Sequence, residues 1–202
     1  LIFRGGIEPS LRPCVWKYLL NYDLWEHTNA EREKRRNNLH QEYYRMKSQW
    51  STLSKIQEKN FSGYRDRKCQ IEKDVKRTDR NIDFYNGDDN PNVNLLQDIL
   101  LTYVMYNFGE FYRAFVVKFL ILMNLDVGYV QGMSDLLAPI LYLLNDEAAS
   151  FWCFVGFMEK VYRNFDEDQA GMKNQLSKMR TLMEFANPKL FKYLKTHESD
   201  NM

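Results

Sequence analysis

Leu39, Tyr43, Met46, Trp50 and Leu53 step along the chain by four, three, four and three positions, the spacing that lines one face of an α-helix. Thr28, followed three residues later by Glu31, fits a capping box at the start of that pattern, so the sequence predicts a long helix from about residue 29 to residue 57. The charged run EREKRR, Glu31 to Arg36, forms its other face and is expected to be solvated. The same stepping recurs at Phe151, Val155, Met158 and Tyr162, and again at Met172, Leu176, Met179 and Met183.

The breaks between these patterns are equally readable. Pro9 and Pro13 bracket a short N-terminal helix, and Phe61-Ser62-Gly63 ends the long one. NGDDNPN, Asn86 to Asn92, is a turn-rich loop whose Asn and Asp side chains favour local backbone hydrogen bonds over helix. Gly128 and Gly132 bracket another break, with Ser134 or Asp135 able to cap the helix that follows. Asn187-Pro188 separates the last two helices. No run alternates with period two for long enough to make a sheet. The prediction is an all-α fold of eight or nine helices, without internal repeats or low-complexity linkers.

Composition adds little to that picture. With 45% hydrophobic and 15% aromatic residues over 202 positions, the chain can bury a sizeable core, which excludes global disorder. A net charge of +1 gives no argument for a nucleic-acid partner, and none is expected. The charge is unevenly spread, however. Residues 31–80 hold 15 Lys/Arg against 8 Asp/Glu, and residues 81–202 hold 10 against 16, an asymmetry that suits an acidic partner or simply a solvated basic helix. Cys14, Cys69 and Cys153 lack metal-ligand spacing, and none of the three histidines falls near a cysteine cluster. Three buried, reduced thiols in a cytoplasmic protein are expected, with no metal. The most apolar stretch, AFVVKFLILM, is ten residues long and interrupted by Lys118, too short to span a bilayer, so no integral membrane segment is expected. The chain opens on Leu1, without a signal peptide, and is expected to be part of something longer.

Two short motifs carry candidate chemistry. IEKDVKRTDR places Ile71, Asp74 and Arg77 at i, i+3 and i+6, close together on one helix. Ile71 can bury itself and anchor the turn, Asp74 can accept hydrogen bonds, and Arg77 can project from that platform. The plainer reading is a surface ion pair contributing roughly 0.3–0.5 kcal/mol. GYVQGM places Gln131 between Gly128 and Gly132, before a helix N-terminus, where its carboxamide can donate and accept at once. The plainer reading there is a glycine-rich turn with Tyr129 packed inward. Hydrolysis of GTP by a small GTPase needs a positive group on the charge at the γ-phosphate and a group that orients the attacking water. An Arg and a Gln on adjacent helix ends could supply both from outside. No P-loop, G-x-S-x-G, H-E-x-x-H or G-x-G-x-x-G occurs, so the usual means of binding a nucleotide or metal are missing.

The two motifs together resemble the IxxDxxR and YxQG signatures of the TBC domain, found in GTPase-activating proteins for Rab GTPases. RGGIEPSLRPCVWKYLL, Arg4 to Leu20, is similar to the opening of that domain. The text after Arg77 and SDLLAPILYLL after Gln131 resemble the branch that contains the fifteenth and seventeenth human members. The resemblance implies a V-shaped all-helical domain, here its N-terminal lobe and part of its C-terminal lobe, so that residues 1–202 form a single partial domain. It implies that Arg77 is a catalytic arginine finger and Gln131 a catalytic glutamine, with Asp74 supporting the finger, Ile71 anchoring it, and Tyr129 and Gly132 framing the glutamine. It implies a GTP-bound Rab partner, a role in vesicle trafficking, no cofactor, and a cytoplasmic location that is peripheral on endomembranes through the partner.

Two departures from the family pattern stand out. GEFYRAFVVKFLILMNL, residues 109–125, lies where the family runs almost directly into the glutamine loop, and is expected to be an insertion. The domain normally continues past the point where this sequence stops. A TBC-like module that binds a GTPase or tether without accelerating hydrolysis is therefore the alternative. Arg80, the neighbouring arginine, is expected to serve partner binding or local charge pairing only.

Overall fold

The computed structural model describes residues 2–118, 128–165 and 168–196, with Phe3 and residues 108–118 described by backbone alone. Among these residues every regular element is helical. In chain order they are α1 (Ile2–Gly5), a 3-10 turn (Pro9–Leu11), α2 (Arg12–Leu19), α3 (Asn29–Ser51), α4 (Lys55–Asn60), α5 (Ser62–Val75), α6 (Pro91–Lys118), α7 (Met133–Leu144), α8 (Glu147–Val161), a second 3-10 turn (Tyr162–Asn164), α9 (Ala170–Ala186) and α10 (Pro188–Thr196). The all-α expectation holds, with ten α-helices among the described residues rather than eight or nine.

Local chemistry explains where several helices start and stop. The capping box at Thr28 and Glu31 forms as the spacing predicts. The helix it opens ends at Ser51, short of the expected residue 57, because a second capping box follows: Ser54 accepts from the Gln57 amide while Gln57 accepts from the Ser54 amide. Such a cap is worth about 1 kcal/mol, enough to settle the boundary between α3 and the short α4. The two prolines do not bracket one helix. Pro9 opens the 3-10 turn, and Pro13 sits in the first turn of α2, where its missing N–H has no intrahelical partner to lose.

The chain divides into two compact units, Leu1–Glu159 and Lys160–Met202. In the first, α3, α5 and α7 pack around α6. Leu96, Ile99, Leu100 and Val104 of α6 are fully buried, as are Tyr43 of α3, Ile71 of α5, Leu137 and Leu141 of α7, and Phe151 and Phe154 of α8. Each such aliphatic or aromatic side chain stabilises the unit by about 1.5–3 kcal/mol. Polar groups at the edge of this core are paired. Tyr43 Oη donates to Glu147 at 2.6 Å, Lys47 bridges Asp98 at 2.8 Å and Glu147 at 2.5 Å, and Trp50 Nε1 donates to Thr102 at 2.9 Å. Burial first, and then Glu147, keep the Tyr43 hydroxyl protonated far above the usual tyrosine range.

Three expectations about this unit need correction. The EREKRR face is not left wholly to solvent: Arg36 forms a fork on the buried Asp23, and Arg35 donates to the carbonyls of Tyr22 and Asn21, so the chain between α2 and α3 is held against the helix. Only Cys153 is buried; Cys14 and Cys69 are exposed, since both fall on outward-facing helical positions. Burial pushes the Cys153 thiol up to about 12. The buried stripe of α8 ends at Met158, because Tyr162 leaves the helix for the 3-10 turn and is exposed. Gly156 on α8 allows a close approach: a Cβ there would fall 2.0 Å from the carbonyl oxygen of Leu20.

In the second unit, α9 and α10 meet at Asn187, whose side-chain oxygen accepts from the Leu190 amide and caps α10. The guanidinium of Arg180 lies 5.8 Å from the centroid of the Phe191 ring. The Met172, Leu176, Met179 and Met183 stepping does form a helix, but no residue of α9 or α10 is buried, and Phe185 is 89% exposed. Among the described residues no helix is long and apolar enough to cross a membrane, and no group of three or more His, Cys, Asp or Glu could hold a metal ion.

The predicted insertion at 109–125 falls partly outside the described residues. The backbone of 109–118 continues α6, and Phe119 to Leu125 are not described.

Candidate functional site

The last turn of α5 is anchored from inside. Ile71 and Val75 are buried, and the Asp74 side chain is only 5% exposed. At this end of the helix the Asp74 carbonyl accepts from the amides of Arg77 at 3.0 Å and Thr78 at 3.1 Å, and from the Thr78 hydroxyl at 3.0 Å. Its carboxylate reaches two other groups. Oδ1 accepts from Arg77 Nη2 at 2.5 Å, and Oδ2 accepts from Tyr129 Oη at 2.8 Å. The Arg77 side chain is 61% exposed, so its ion pair with Asp74 contributes no more than an ordinary surface pair, about 0.2–1 kcal/mol. The pair holds the guanidinium beside the Asp74 carboxylate.

The second segment is built around Tyr129, which is buried, and Gly132, which caps α7 with φ +93°. That left-handed conformation suits glycine and strains any residue with a Cβ. Gln131 sits between them and is exposed. Gly128 instead permits a close approach: it is buried, and a Cβ there would come within 3.3 Å of Arg67 Nε. Neither Ser134 nor Asp135 caps α7, since Gly132 takes the cap position without a side-chain hydrogen bond. Ser134 is buried instead, with its hydroxyl 2.9 Å from that of Thr78.

The structure therefore joins the two motifs. Asp74 to Tyr129 and Thr78 to Ser134 are two side-chain bonds between segments more than fifty positions apart, and a third, Tyr85 Oη to the Ala138 carbonyl at 2.8 Å, ties the following loop to α7. Ile71, Asp74, Tyr129 and Gly132 lie in or behind this junction, and Arg77 and Gln131 emerge from it into solvent. Burial raises the Tyr129 pKa well above its usual value, with Ser134 opposing and Asp74 reinforcing the shift, so its hydroxyl remains a donor throughout the neutral range.

Arg80 is engaged within its own loop. It donates to the carbonyls of Tyr85 at 2.8 Å and Gly87 at 2.7 Å, closing the loop after Arg77 on itself. Asn90 and Asn92 help by donating to the Phe84 carbonyl. Sequence reasoning missed Thr78, Ser134, Tyr85 and the Arg80 clasp. The only local signal was the density of turn-forming residues between Asp79 and Asn92.

Residues 9–202 match the model of the Rab-GTPase-TBC domain family. The chain belongs to that family. TBC1 domain family member 17 of Homo sapiens is 45% identical over 201 residues, covering 100% of this chain and 28% of the relative. The GTPase-activating protein GYP7 of Yarrowia lipolytica is 38% identical over 224 residues, again covering 100% of this chain and 28% of the relative. This TBC domain thus spans under a third of the length of these curated relatives. The crystal structure of the Ypt/Rab-GAP domain of Gyp1p superposes with a TM-score of 0.70 at 22% identity, over 95% of this chain and 60% of that one, which shows a shared fold.

Chemically, the TBC junction offers one planar guanidinium with donors in a fixed fork and one carboxamide that both donates and accepts. Both are exposed side chains on supported backbone.

Proposed function

We propose that this TBC domain accelerates GTP hydrolysis by a GTP-bound Rab small GTPase, with Arg77 and Gln131 supplied in trans. The observation that carries the reading is the Asp74–Tyr129 bond, which holds together the two segments that bear the exposed Arg77 and Gln131. Family membership and the GTPase-activating role for which the GYP7 relatives are named support it. Arg77 stabilises the charge that develops on the transferring phosphoryl group, and Gln131 orients the attacking water. Asp74 keeps the guanidinium aimed until the partner docks. The nucleotide and its metal ion belong to the partner, through which the domain meets endomembranes in vesicle trafficking.

Single-turnover GTP hydrolysis across a Rab panel tests this directly. Arg77→Ala should remove an acceleration of about 10³–10⁵, and Arg77→Lys should not restore it, because lysine lacks the planar fork. Gln131→Ala should cost on the order of 10²-fold, as loss of one preorganised polar group does. Helical content by circular dichroism should not change, since both side chains are exposed. Acceleration that survives Arg77→Ala within a few-fold would take Arg77 out of the mechanism. Rab binding without acceleration by the parent chain would instead favour a pure binding module.

A further inference from the structure

Three hydrogen bonds link Asp74, Thr78, Ser134 and Tyr129: Thr78 to the Asp74 carbonyl, Thr78 with Ser134, and Tyr129 to the Asp74 carboxylate. Thr78 has one hydroxyl proton and lies within hydrogen-bond distance of two oxygens, the Asp74 carbonyl at 3.0 Å and Ser134 Oγ at 2.9 Å. When it donates to the carbonyl it must accept from Ser134. Ser134 in turn lies beside Tyr129, whose hydroxyl donates to the Asp74 carboxylate at 2.8 Å. Thr78, Ser134, Tyr129 and Asp74 are all buried, so water does not substitute for a missing member. The Thr78–Ser134 pair ties the residue directly after Arg77 to the first turn of the helix that follows Gln131.

We infer that Thr78 and Ser134 are positioning residues of the proposed site: their buried hydroxyl pair fixes the Arg77 turn against the start of α7 and so sets the placement of Arg77 relative to Gln131. The inference rests on the trans-acting reading above. Neither residue reaches the partner's nucleotide; both act through the segments they join. The Asp74–Tyr129 bond lies before Arg77 in the chain and the Thr78–Ser134 bond directly after it, nearer than the Tyr85–Ala138 bond, so the two bracket Arg77 closely. A misplacement of about 1 Å in a catalytic group can cost on the order of 10²-fold in rate.

The test compares Thr78→Val, Thr78→Ser, Ser134→Ala and the Thr78→Val/Ser134→Ala double variant in the full chain. Two readouts are taken: single-turnover rate and half-saturating chain concentration with an activated Rab, and amide hydrogen exchange across residues 74–80 and 128–135. Thr78→Val should lower the saturating rate about 10²-fold with half-saturation unchanged within two-fold, and it should speed exchange in both segments. Thr78→Ser keeps the hydroxyl and should recover the rate to within three-fold. The double variant should be no worse than the worse single. Arg77→Ala separates the two ideas. If Arg77→Ala abolishes acceleration while Thr78→Val leaves the rate within three-fold, or if exchange quickens only in the segment carrying the substitution, the positioning role is overturned and the finger reading stands. If Arg77→Ala has no effect, the finger reading falls and the positioning role with it.

Discussion

Arg77 and Arg80 are three positions apart and follow the same buried aspartate, yet the fold spends them differently. Arg77 makes one side-chain bond and stays exposed, whereas Arg80 gives two donors to backbone carbonyls of its own loop. Charged hydrogen bonds of this kind contribute about 1.5–3 kcal/mol each when buried and less at a partly exposed site. Arg80→Ala should therefore cost about 2 kcal/mol, a fall in Tm of roughly 4–8 °C for a chain of this size. Its saturating single-turnover rate should fall far less than that of Arg77→Ala. Equal losses of rate would mean that the Arg80 clasp, rather than the Asp74 platform, delivers Arg77.

At the level of elements, the approach of α8 to the end of α2 depends on an absent side chain. A Cβ on Gly156 would meet the Leu20 carbonyl oxygen at 2.0 Å, and that neighbour is backbone, which cannot swing aside. Gly156→Ala should push α8 away from the end of α2 and destabilise the unit by about 3 kcal/mol, the upper part of the overpacking range. Urea unfolding would register this as a lower midpoint with the slope unchanged. A midpoint within error of the parent would show that α8 can slide without loss. The helix-forming tendency gained from Ala over Gly is only about 1 kcal/mol and cannot offset such a clash.

At the level of the molecule, residues 109–125 separate Asn107 from the Gln131 segment along the sequence. Asn107 Nδ2 donates to the Gly128 carbonyl at 3.4 Å, so the two ends of the intervening stretch are in contact. Deleting Gly109 to Leu125 leaves Phe108, Asp126 and Val127 to bridge that gap, which lies well within their reach of about 3.3–3.6 Å per residue. Taking these residues as an insertion, we expect the deletion variant to be more soluble, to melt higher and to activate hydrolysis at least as well as the parent. A lower Tm with increased binding of a hydrophobic dye would show instead that Phe111, Phe115, Phe119 and Leu122 supply a face on which the fold relies.

Helix placement was legible in the sequence because its causes are local. The Thr28 capping box, the Asn187-Pro188 break and the 3.6-residue stepping of Phe151, Val155 and Met158 each act within a few positions, so the pattern and the element coincide. The Ser54 cap is equally local, but the apolar stepping runs up to Leu53, directly before it, and masks the break. Arg77, Asp74, Gln131 and Tyr129 were legible as two motifs, each with a plain alternative. That the two motifs form one junction was decided by tertiary structure alone. The bonds that make it, Asp74 to Tyr129, Thr78 to Ser134 and Tyr85 to Ala138, cross 53 to 56 positions, and hydrogen bonds at that separation leave no period in the chain. They exist because α5 and α7 pack together beside α6, which buries the hydroxyls and obliges each to find a partner.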